Sequence, residues 1–324
     1  MTVAAEEIVA SHRACRRLTR QAGSSFPAAF CLLPPAKRQA MHALYAFMRH
    51  SDDLADDPLP GRSPRESLRQ WRGALEKALS GDTALGDVDA CGRELLPAVV
   101  QTVREFQIPP ESLLAVLDGV EMDLEPRVYA TFDELAEYCQ RVASAVGLAC
   151  IHIWGFSTGN ASGACLGARP ADALKPSRSA GLALQLTNIL RDLNEDAQRG
   201  RIYLPLEDIN ACGYSTEELH NGVVNRPFLR LMAMEIDRAE QFYREAAELP
   251  RSLHKDGHRI FGLMMETYHA LLDAIRRKPA DVFTRRVRGS RLRKLWLAAR
   301  WSLLPVQMKF EARISKSETI RKHE

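Results

Sequence analysis

Several common patterns are missing from this 324-residue chain, and each absence argues against a class of protein. No run reaches the ~18 apolar residues that a membrane-spanning helix requires. The first residues contain two glutamates and no apolar stretch, so we expect no secretory signal. The seven cysteines are scattered, and none forms a Cys-x-x-Cys pair, which argues against a disulfide framework. We therefore expect a cytoplasmic protein with reduced thiols.

Fingerprints for nucleotide binding are also absent. The chain has no Gly-x-Gly-x-x-Gly run and no P-loop of the form Gly-x-x-x-x-Gly-Lys-Ser/Thr. Hydrophobic residues make up 46% and charged residues 26% of the chain, which is ordinary for a globular protein with an ample core. The chemistry must therefore be sought in how polar residues are placed within an otherwise conventional sequence.

The net positive charge is small but is concentrated near the C-terminus. The net charge is only +3, whereas residues 285–300 contain seven cations and no acid, interleaved with Trp296 and several leucines. One interpretation is a solvated helix whose apolar side closes the core. The other is peripheral contact with an anionic membrane surface. Nucleic acid is not an expected partner, because no groove-reading or RNA-binding motif accompanies the basic segment.

Periodicity predicts an all-α protein. Apolar residues recur at helical spacing, and alternating β-branched runs are scarce. A helix should open at Pro34 and Pro35 and continue to the acidic run before residue 58, and the stretch 200–219 should be a bent connection. Further helices are predicted at 64–81, 89–106, 110–125, 132–157, 170–198, 226–248 and 257–277. We expect one domain over 1–324, with a core at about 20–280 and a basic C-terminal segment at 285–324.

The first of two acidic clusters ends the helix that begins at the paired prolines. Its sequence RHSDDLADD contributes Asp52, Asp53, Asp56 and Asp57. Asp52 and Asp56 stand one turn apart on the stripe that also carries Tyr45 and Arg49, and like charges so placed repel. The helix dipole also disfavours acids at a C-terminus. The arrangement therefore indicates a bound cation, and an exposed acidic helix end is the alternative.

The second cluster, NILRDLNED, repeats this design in another predicted helix. Gln185, Asn188, Asp192 and Asp196 lie on nearly one line, and the preceding turns are apolar. Buried carboxylates need partners, which Mg²⁺ or a structural network with Arg191 would supply. Mg²⁺ is usually held by a few carboxylates and substrate phosphates, so the two clusters together predict a diphosphate site. Glu121, Asp123 and Glu125 form a third acidic patch, a weaker candidate because the pattern fits a solvated face equally well.

In order and spacing, four motifs resemble those of the squalene/phytoene synthase family. They are SSF at 24–26, LYAFMRHSDDLADD at 44–57, YCQRVASAVG at 138–147 and QLTNILRDLNEDAQRGRIYLP at 185–205. The resemblance spans roughly residues 20 to 280, and its last motif is the most specific. It implies an isoprenoid synthase fold, a single-domain helical bundle around a central cavity, in which two aspartate-rich helices face one another and bind three Mg²⁺ ions. Mn²⁺ is an alternative metal.

The same resemblance assigns roles to residues. It implies metal ligation by Asp52, Asp56, Asn188, Asp192 and Asp196. It implies substrate contacts from Ser25, Phe26, Arg49, Gln185, Asn188, Arg191 and Tyr268, and catalytic roles for Tyr45, Tyr138, Arg49 and Arg191. Many family members carry a second tyrosine just after the Tyr-Cys pair, whereas this chain has Gln140.

The implied reaction joins two all-trans prenyl diphosphates head to head through a cyclopropylcarbinyl diphosphate. The DDLAD sequence favours two C15 farnesyl diphosphates, giving presqualene diphosphate or squalene, over two C20 geranylgeranyl diphosphates, giving phytoene. NADPH is expected only if squalene is the final product. A competing interpretation is a non-enzymatic all-α adaptor at a membrane surface, whose acidic helices would point apart.

Overall fold

The computed structural model describes residues 3–22, 27–57, 61–82, 84–125, 127–157, 170–288, 296–297 and 300–301. Within these ranges the chain is helical, and its only β-type pairings are two isolated bridges. The α-helices are α1 (Val3–Gln21), α2 (Pro35–Asp56), α3 (Pro64–Ser80), α4 (Ala90–Glu105), α5 (Pro110–Met122), α6 (Phe132–Cys139), α7 (Ala145–Trp154), α8 (Pro170–Gln198), α9 (Leu206–Ala211), α10 (Thr216–His220), α11 (Arg226–Ala246), α12 (Lys255–Arg277) and α13 (Asp281–Thr284). The prediction of an all-α fold is confirmed.

Local sequence explains where these helices begin and end. Ser63 caps α3 by accepting a hydrogen bond from the Glu66 amide, Pro64 occupies the first turn, and Gly81 ends the helix at φ +90°. Thr131, Ser215 and Asn225 likewise cap α6, α10 and α11 with their side chains. These signals are short-range, which is why most predicted helices match the observed ones within a few residues.

Two features differ from the predicted helices. Helix α1 was not among them, although it packs against α2 and α4 through a small cluster that includes Cys15 and Ala43. The helix predicted at 132–157 is interrupted by a π-helical turn, Gln140–Ser144, which separates α6 from α7. Two glycines approach this turn closely. A Cβ on Gly181 of α8 would lie 2.6 Å from Ser144 Cα, and one on Gly119 of α5 would lie 2.5 Å from Val142 Cγ1.

Helix α8 is the element around which the site is organised. It packs against α7, α11 and α12, and the principal hydrophobic core runs through all four helices. The connection after α8 contains the short helices α9 and α10, as expected for a bent segment. Outside this core, Trp301 covers Gly262 of α12, and Arg300 forms an ion pair of 3.0 Å with Glu266. None of the described helices combines the length and apolarity of a membrane span.

Candidate active site

A cavity of about 370 Å³ lies between α2, the π turn with α7, α8 and α12. Its lining is apolar over most of its depth, with Val146, Ile151, Leu184 and Phe261 among the contributors. Polar residues of α2 and α8 gather at the end where both acidic clusters begin. We call this end the mouth, defined by Arg49, Asp52, Gln185 and Asn188. The cavity thus combines a polar, charged mouth with an apolar interior.

The structure brings together many of the residues that the sequence singled out. Tyr45, Arg49 and Asp52 from α2, Gln185 and Asn188 from α8, and Tyr268 from α12 all line this one cavity. Asp52 of the first cluster and Asn188 of the second motif therefore line one cavity, which contradicts the adaptor interpretation, whereas Asp56, Asp192 and Asp196 are not among its lining residues. Asp56 is exposed at the last residue of α2, and Arg49 pairs with Asp53 one turn along the helix. Ser25 and Phe26 lie outside the described residues.

The electrostatic environment of Asp52 favours a positive partner. Its side chain keeps contact with solvent, but the protein atoms crowding the mouth displace much of the surrounding water and raise the pKa of its carboxyl to about 7. Arg49 opposes this shift, whereas the charges of Asp56, Asp53 and Asp123 add to it. Repulsion among these carboxylates would be relieved by a cation held between them.

The acidic end of α8 is neutralised by two arginines. Asp192 accepts a hydrogen bond of 2.9 Å from Arg191 Nε, and Arg286 Nε lies 3.2 Å from Asp192 Oδ1. Burial, and then the charge of Asp192, raises the pKa of Asp196 to about 6. The sequence analysis assigned Arg191 but missed Arg286, which it grouped with the basic C-terminal segment. Its position at the start of that segment, more than ninety residues after Asp192, could not reveal that the chain folds back onto α8.

In the third acidic patch, whose sequence fits a functional cluster or a solvated face, Asp123 is partly buried and hydrogen-bonded. Its carboxylate accepts hydrogen bonds of 2.9 Å from the hydroxyls of Tyr138 and Tyr203, and its carbonyl accepts one of 3.0 Å from Arg201. Burial raises the pKa of this carboxyl. Glu125 behaves as expected, since it is exposed and pairs only with the surface residue Arg65 in the described part of the chain.

Tyr138 lies in a neighbouring aromatic cluster rather than among the residues that line the cavity. Its ring stacks with Tyr203 at 5.3 Å and lies 5.6 Å from Tyr129, measured between ring centroids. The side chain is 2% exposed. The structure therefore does not place Tyr138 among the residues that line the cavity, where contact with the reacting carbons was expected, and its catalytic role stays a prediction.

Residues at the mouth and on the adjoining ends of α2 and α8 offer ligands that suit a hard divalent cation. The candidate donors Asp52, Asp56, Asn188, Asp192 and Asp196 are all oxygen ligands, the type that Mg²⁺ prefers. Asn188 Oδ1 is buried and accepts no hydrogen bond within the part of the chain that the structure describes. A buried acceptor without a donor lowers stability. A bound cation, or a water molecule bound together with the substrate, would satisfy this oxygen.

Comparison with known proteins agrees with this site. The chain belongs to the squalene/phytoene synthase family, whose sequence model matches residues 19–293. It is accordingly a prenyltransferase of the head-to-head condensing type with an isoprenoid synthase fold, and dependence on a divalent metal is general in the family.

Individual relatives cover nearly the whole chain. The 15-cis-phytoene synthase of Synechocystis sp. is 36% identical over 295 residues, spanning 90% of this chain and 84% of the relative. The phytoene synthase of Arthrospira platensis is 37% identical over 279 residues, spanning 85% and 87%. The crystal structure of a dehydrosqualene synthase in complex with ligand superposes with a TM-score of 0.76 at 29% identity, covering 91% and 96%.

Proposed function

We propose that this protein condenses two molecules of geranylgeranyl diphosphate into phytoene through a cyclopropylcarbinyl diphosphate. The observation that carries the proposal is the single cavity whose mouth holds Arg49, Asp52 and Asn188 and whose interior is apolar. A diphosphate needs cationic partners, and the prenyl chain attached to it needs a dry space. Both requirements meet in this one cavity.

The residues at the mouth would bind and activate the diphosphates. Asp52, Asp56, Asn188, Asp192 and Asp196 would hold Mg²⁺, or Mn²⁺ in its place, which supplies positive charge to a departing diphosphate. Arg49 and Arg191 would contact diphosphate oxygens directly, and Arg286 stands beside Asp192 as a further cation. Arg191 and Arg286 both pair with Asp192, so the two guanidinium groups stand together beside the proposed diphosphate site.

The interior would protect the allylic cation that remains. Val146, Leu184 and Phe261 exclude water from this space, which prevents premature quenching. Tyr45 and Tyr268 line the same cavity, and their rings can stabilise a passing cation through their π faces. Gln185 and Asn188 would orient the substrate at the boundary between the polar and apolar parts, while Ser25 and Phe26 remain proposed contacts for the donor.

The relatives favour the C20 substrate over the C15 substrate that the DDLAD sequence indicated. The two cyanobacterial relatives at 36% and 37% identity are phytoene synthases, whereas the dehydrosqualene synthase structure is 29% identical. One or two residues at the first motif carry less information than similarity over most of the chain. The C15 reaction, giving presqualene diphosphate or squalene, is the second candidate, and only a squalene product would consume NADPH.

An assay with defined substrates separates these candidates. Purified protein would be incubated with Mg²⁺ and labelled C15 or C20 diphosphate, with and without NADPH, and the extracted products identified by mass spectrometry. We expect C40 phytoene from the C20 substrate in the absence of NADPH. A C30 product formed with higher kcat/KM would replace the phytoene proposal by the second candidate, and no head-to-head product from either substrate would refute both.

We also propose that the basic C-terminal segment contacts an anionic membrane surface. Trp296 is 54% exposed, with the Arg300 guanidinium 5.5 Å from its ring centroid, while the adjacent Leu297 is buried. Most of 285–324 lies outside the described residues, so the support is chiefly the composition of the segment. Cosedimentation with anionic vesicles, lost in high salt and absent with neutral vesicles, is the expected result. Equal pelleting with both vesicle types would contradict the proposal.

A further inference from the structure

The end of the cavity opposite its mouth is located by the packing of α7 against α8. A Cβ on Gly181 would meet Ser144, and one on Gly147 would lie 3.3 Å from Ser177 Oγ. Residues later in α7 therefore contact residues earlier in α8, which lie farther from Asn188. The two helices run antiparallel, and Trp154, the last residue of α7, lies at the far end of the cavity.

The helix geometry gives the depth of this space. Ser177 and Asn188 both line it and are eleven residues apart on α8. At about 1.5 Å per residue they are separated by ~16 Å. An isoprene unit adds four carbon–carbon bonds of about 1.5 Å to a chain, or ~5 Å when extended. Three units thus reach ~15 Å, about the level of Ser177, and four reach ~20 Å. Trp154 lies seven residues beyond Gly147 on α7, and helical side chains lean back toward the helix N-terminus, so the indole extends toward the level that the fourth unit, and not the third, would reach.

Trp154 is fixed at this position by its backbone and its neighbours. Its carbonyl accepts a hydrogen bond of 2.7 Å from Lys37 Nζ, which also pairs with Asp256 at 2.9 Å. Gly257 allows α12 to approach, since a Cβ there would lie 2.8 Å from Trp154 Cβ. The Phe261 ring stands 6.3 Å away between centroids and lines the same cavity.

The indole ring contributes volume rather than a hydrogen bond. Trp154 is 1% exposed, and its Nε1 has no hydrogen-bond partner within the described part of the chain. An unpaired buried donor lowers stability, so a phenylalanine would serve the core as well if only packing mattered. Tryptophan has the largest side chain of the twenty residues, and its ring fills space at the point where the cavity ends.

We propose that Trp154 is the residue that sets the longest prenyl chain this enzyme accepts. This inference rests on the proposed function, because it presumes that prenyl chains enter this cavity with their diphosphates at the mouth. A C20 chain would end against the indole, and a C25 chain would collide with it. Shortening the side chain at position 154 would open room for about one further isoprene unit without touching the mouth.

The test compares chain-length selectivity among variants of the full-length protein. Wild type, W154F and W154L would be given C15, C20 and C25 diphosphates in competition, and product masses would be quantified. Ile153→Ala is the matched control, since Ile153 is a fully buried residue of the same helix that does not line this cavity. Thermal unfolding of each variant would establish that it is folded.

We expect W154L to raise the C25-to-C20 ratio of kcat/KM by about tenfold or more, within the range for a change of a few methylene groups in an apolar pocket. W154F should shift the ratio in the same direction by less, and Ile153→Ala should leave it within about twofold. An unchanged ratio in an active W154L or, if that variant does not fold, in W154F overturns the proposal. Wild type that makes no head-to-head product refutes the proposed function instead.

Discussion

The hydroxyl of Tyr203 donates a hydrogen bond of 2.9 Å to Asp123, which ties the segment after the second acidic cluster to the end of α5. The same carboxylate accepts a hydrogen bond from Tyr138, and its charge acts on Asp52 across the mouth. Asp123 therefore connects three parts of the chain that are distant in sequence. It is a partly buried carboxylate whose charge acts on the first aspartate-rich helix.

Replacing Asp123 with asparagine should reduce stability and shift the activity profile. The amide keeps the shape of the carboxyl but weakens two hydrogen bonds to a charged acceptor, which would cost about 1–3 kcal/mol of unfolding free energy. Removal of its charge should also lower the pKa of Asp52, so the acidic limb of the pH–activity profile would move to lower pH. Urea unfolding and initial rates between pH 5 and 8 would measure both effects.

Glu125→Gln is the matched control for this substitution. Glu125 lies two residues away but is exposed, and its surface pair with Arg65 should contribute less than about 1 kcal/mol. If both variants behaved alike, the structural distinction between the partly buried, hydrogen-bonded Asp123 and the exposed Glu125 would be wrong.

Gly181→Ala should disturb the contact between α8 and the π turn. The added Cβ would lie 2.6–2.7 Å from three atoms of Ser144, two of them in the backbone, so one of the elements must shift. Overpacking of this kind typically costs about 1–3 kcal/mol, and because Gly181 lines the cavity, turnover should fall as well. Chemical denaturation and steady-state rates would record the two losses.

The same substitution at Gly73 should instead raise the stability of the protein. Gly73 lies in the interior of α3, and its Cβ would meet nothing within 4 Å. We expect it to raise the unfolding free energy by about 0.5–1 kcal/mol, since alanine is the better helix former. Equal effects at both glycines would show that the close approach to Ser144 is not a constraint.

The pair formed by His50 and Asp89 predicts that stability falls on the alkaline side. Burial opposes protonation of His50, but the hydrogen bond of 3.1 Å and the charge of Asp89 outweigh it and raise the pKa of His50 to about 9. A raised pKa means that the stabilisation is fully present below about pH 6.5 and is lost as the pH rises through 9. The loss should be on the order of 2 kcal/mol, measured by urea unfolding at stepped pH.

His50→Gln is the informative variant for this pair. Glutamine can still donate a hydrogen bond toward Asp89 but does not titrate, so its stability should be nearly flat over the same pH range. A wild-type curve without an alkaline decline, or a decline that persists in the glutamine variant, would assign the effect elsewhere.

Local sequence patterns predicted most of the helices and the main parts of the site. Caps, prolines and helical periodicity act over a few residues, which is why the predicted bounds of α3 and α12 lie close to the observed ones. The stripe of Tyr45, Arg49 and Asp52 was likewise readable, because spacing on one helix fixes which side chains share a face. The resemblance to a family supplied the expectation that the two acidic helices oppose one another.

The parts that could not be predicted depend on tertiary contacts. The π turn arises where Gly119 and Gly181 come close to one segment, and neither glycine is near that segment in sequence. Arg286 reaches Asp192 across more than ninety residues. Asp123 looked like its exposed neighbours because only the fold brings Tyr138 and Tyr203 onto it.

The central claim is that the acidic residues of α2 and α8 share one divalent-metal site at the mouth of the cavity. Titration of Mn²⁺ into wild type, Asp52→Asn, Asp192→Asn and the double variant, in the presence of inorganic pyrophosphate, measures this directly by calorimetry. Because both residues would coordinate the same metal cluster, we predict that each single variant loses Mn²⁺ affinity at least tenfold. The double variant should lose far less than the two losses combined. Strictly additive losses, or wild-type affinity in either single variant, would contradict the claim.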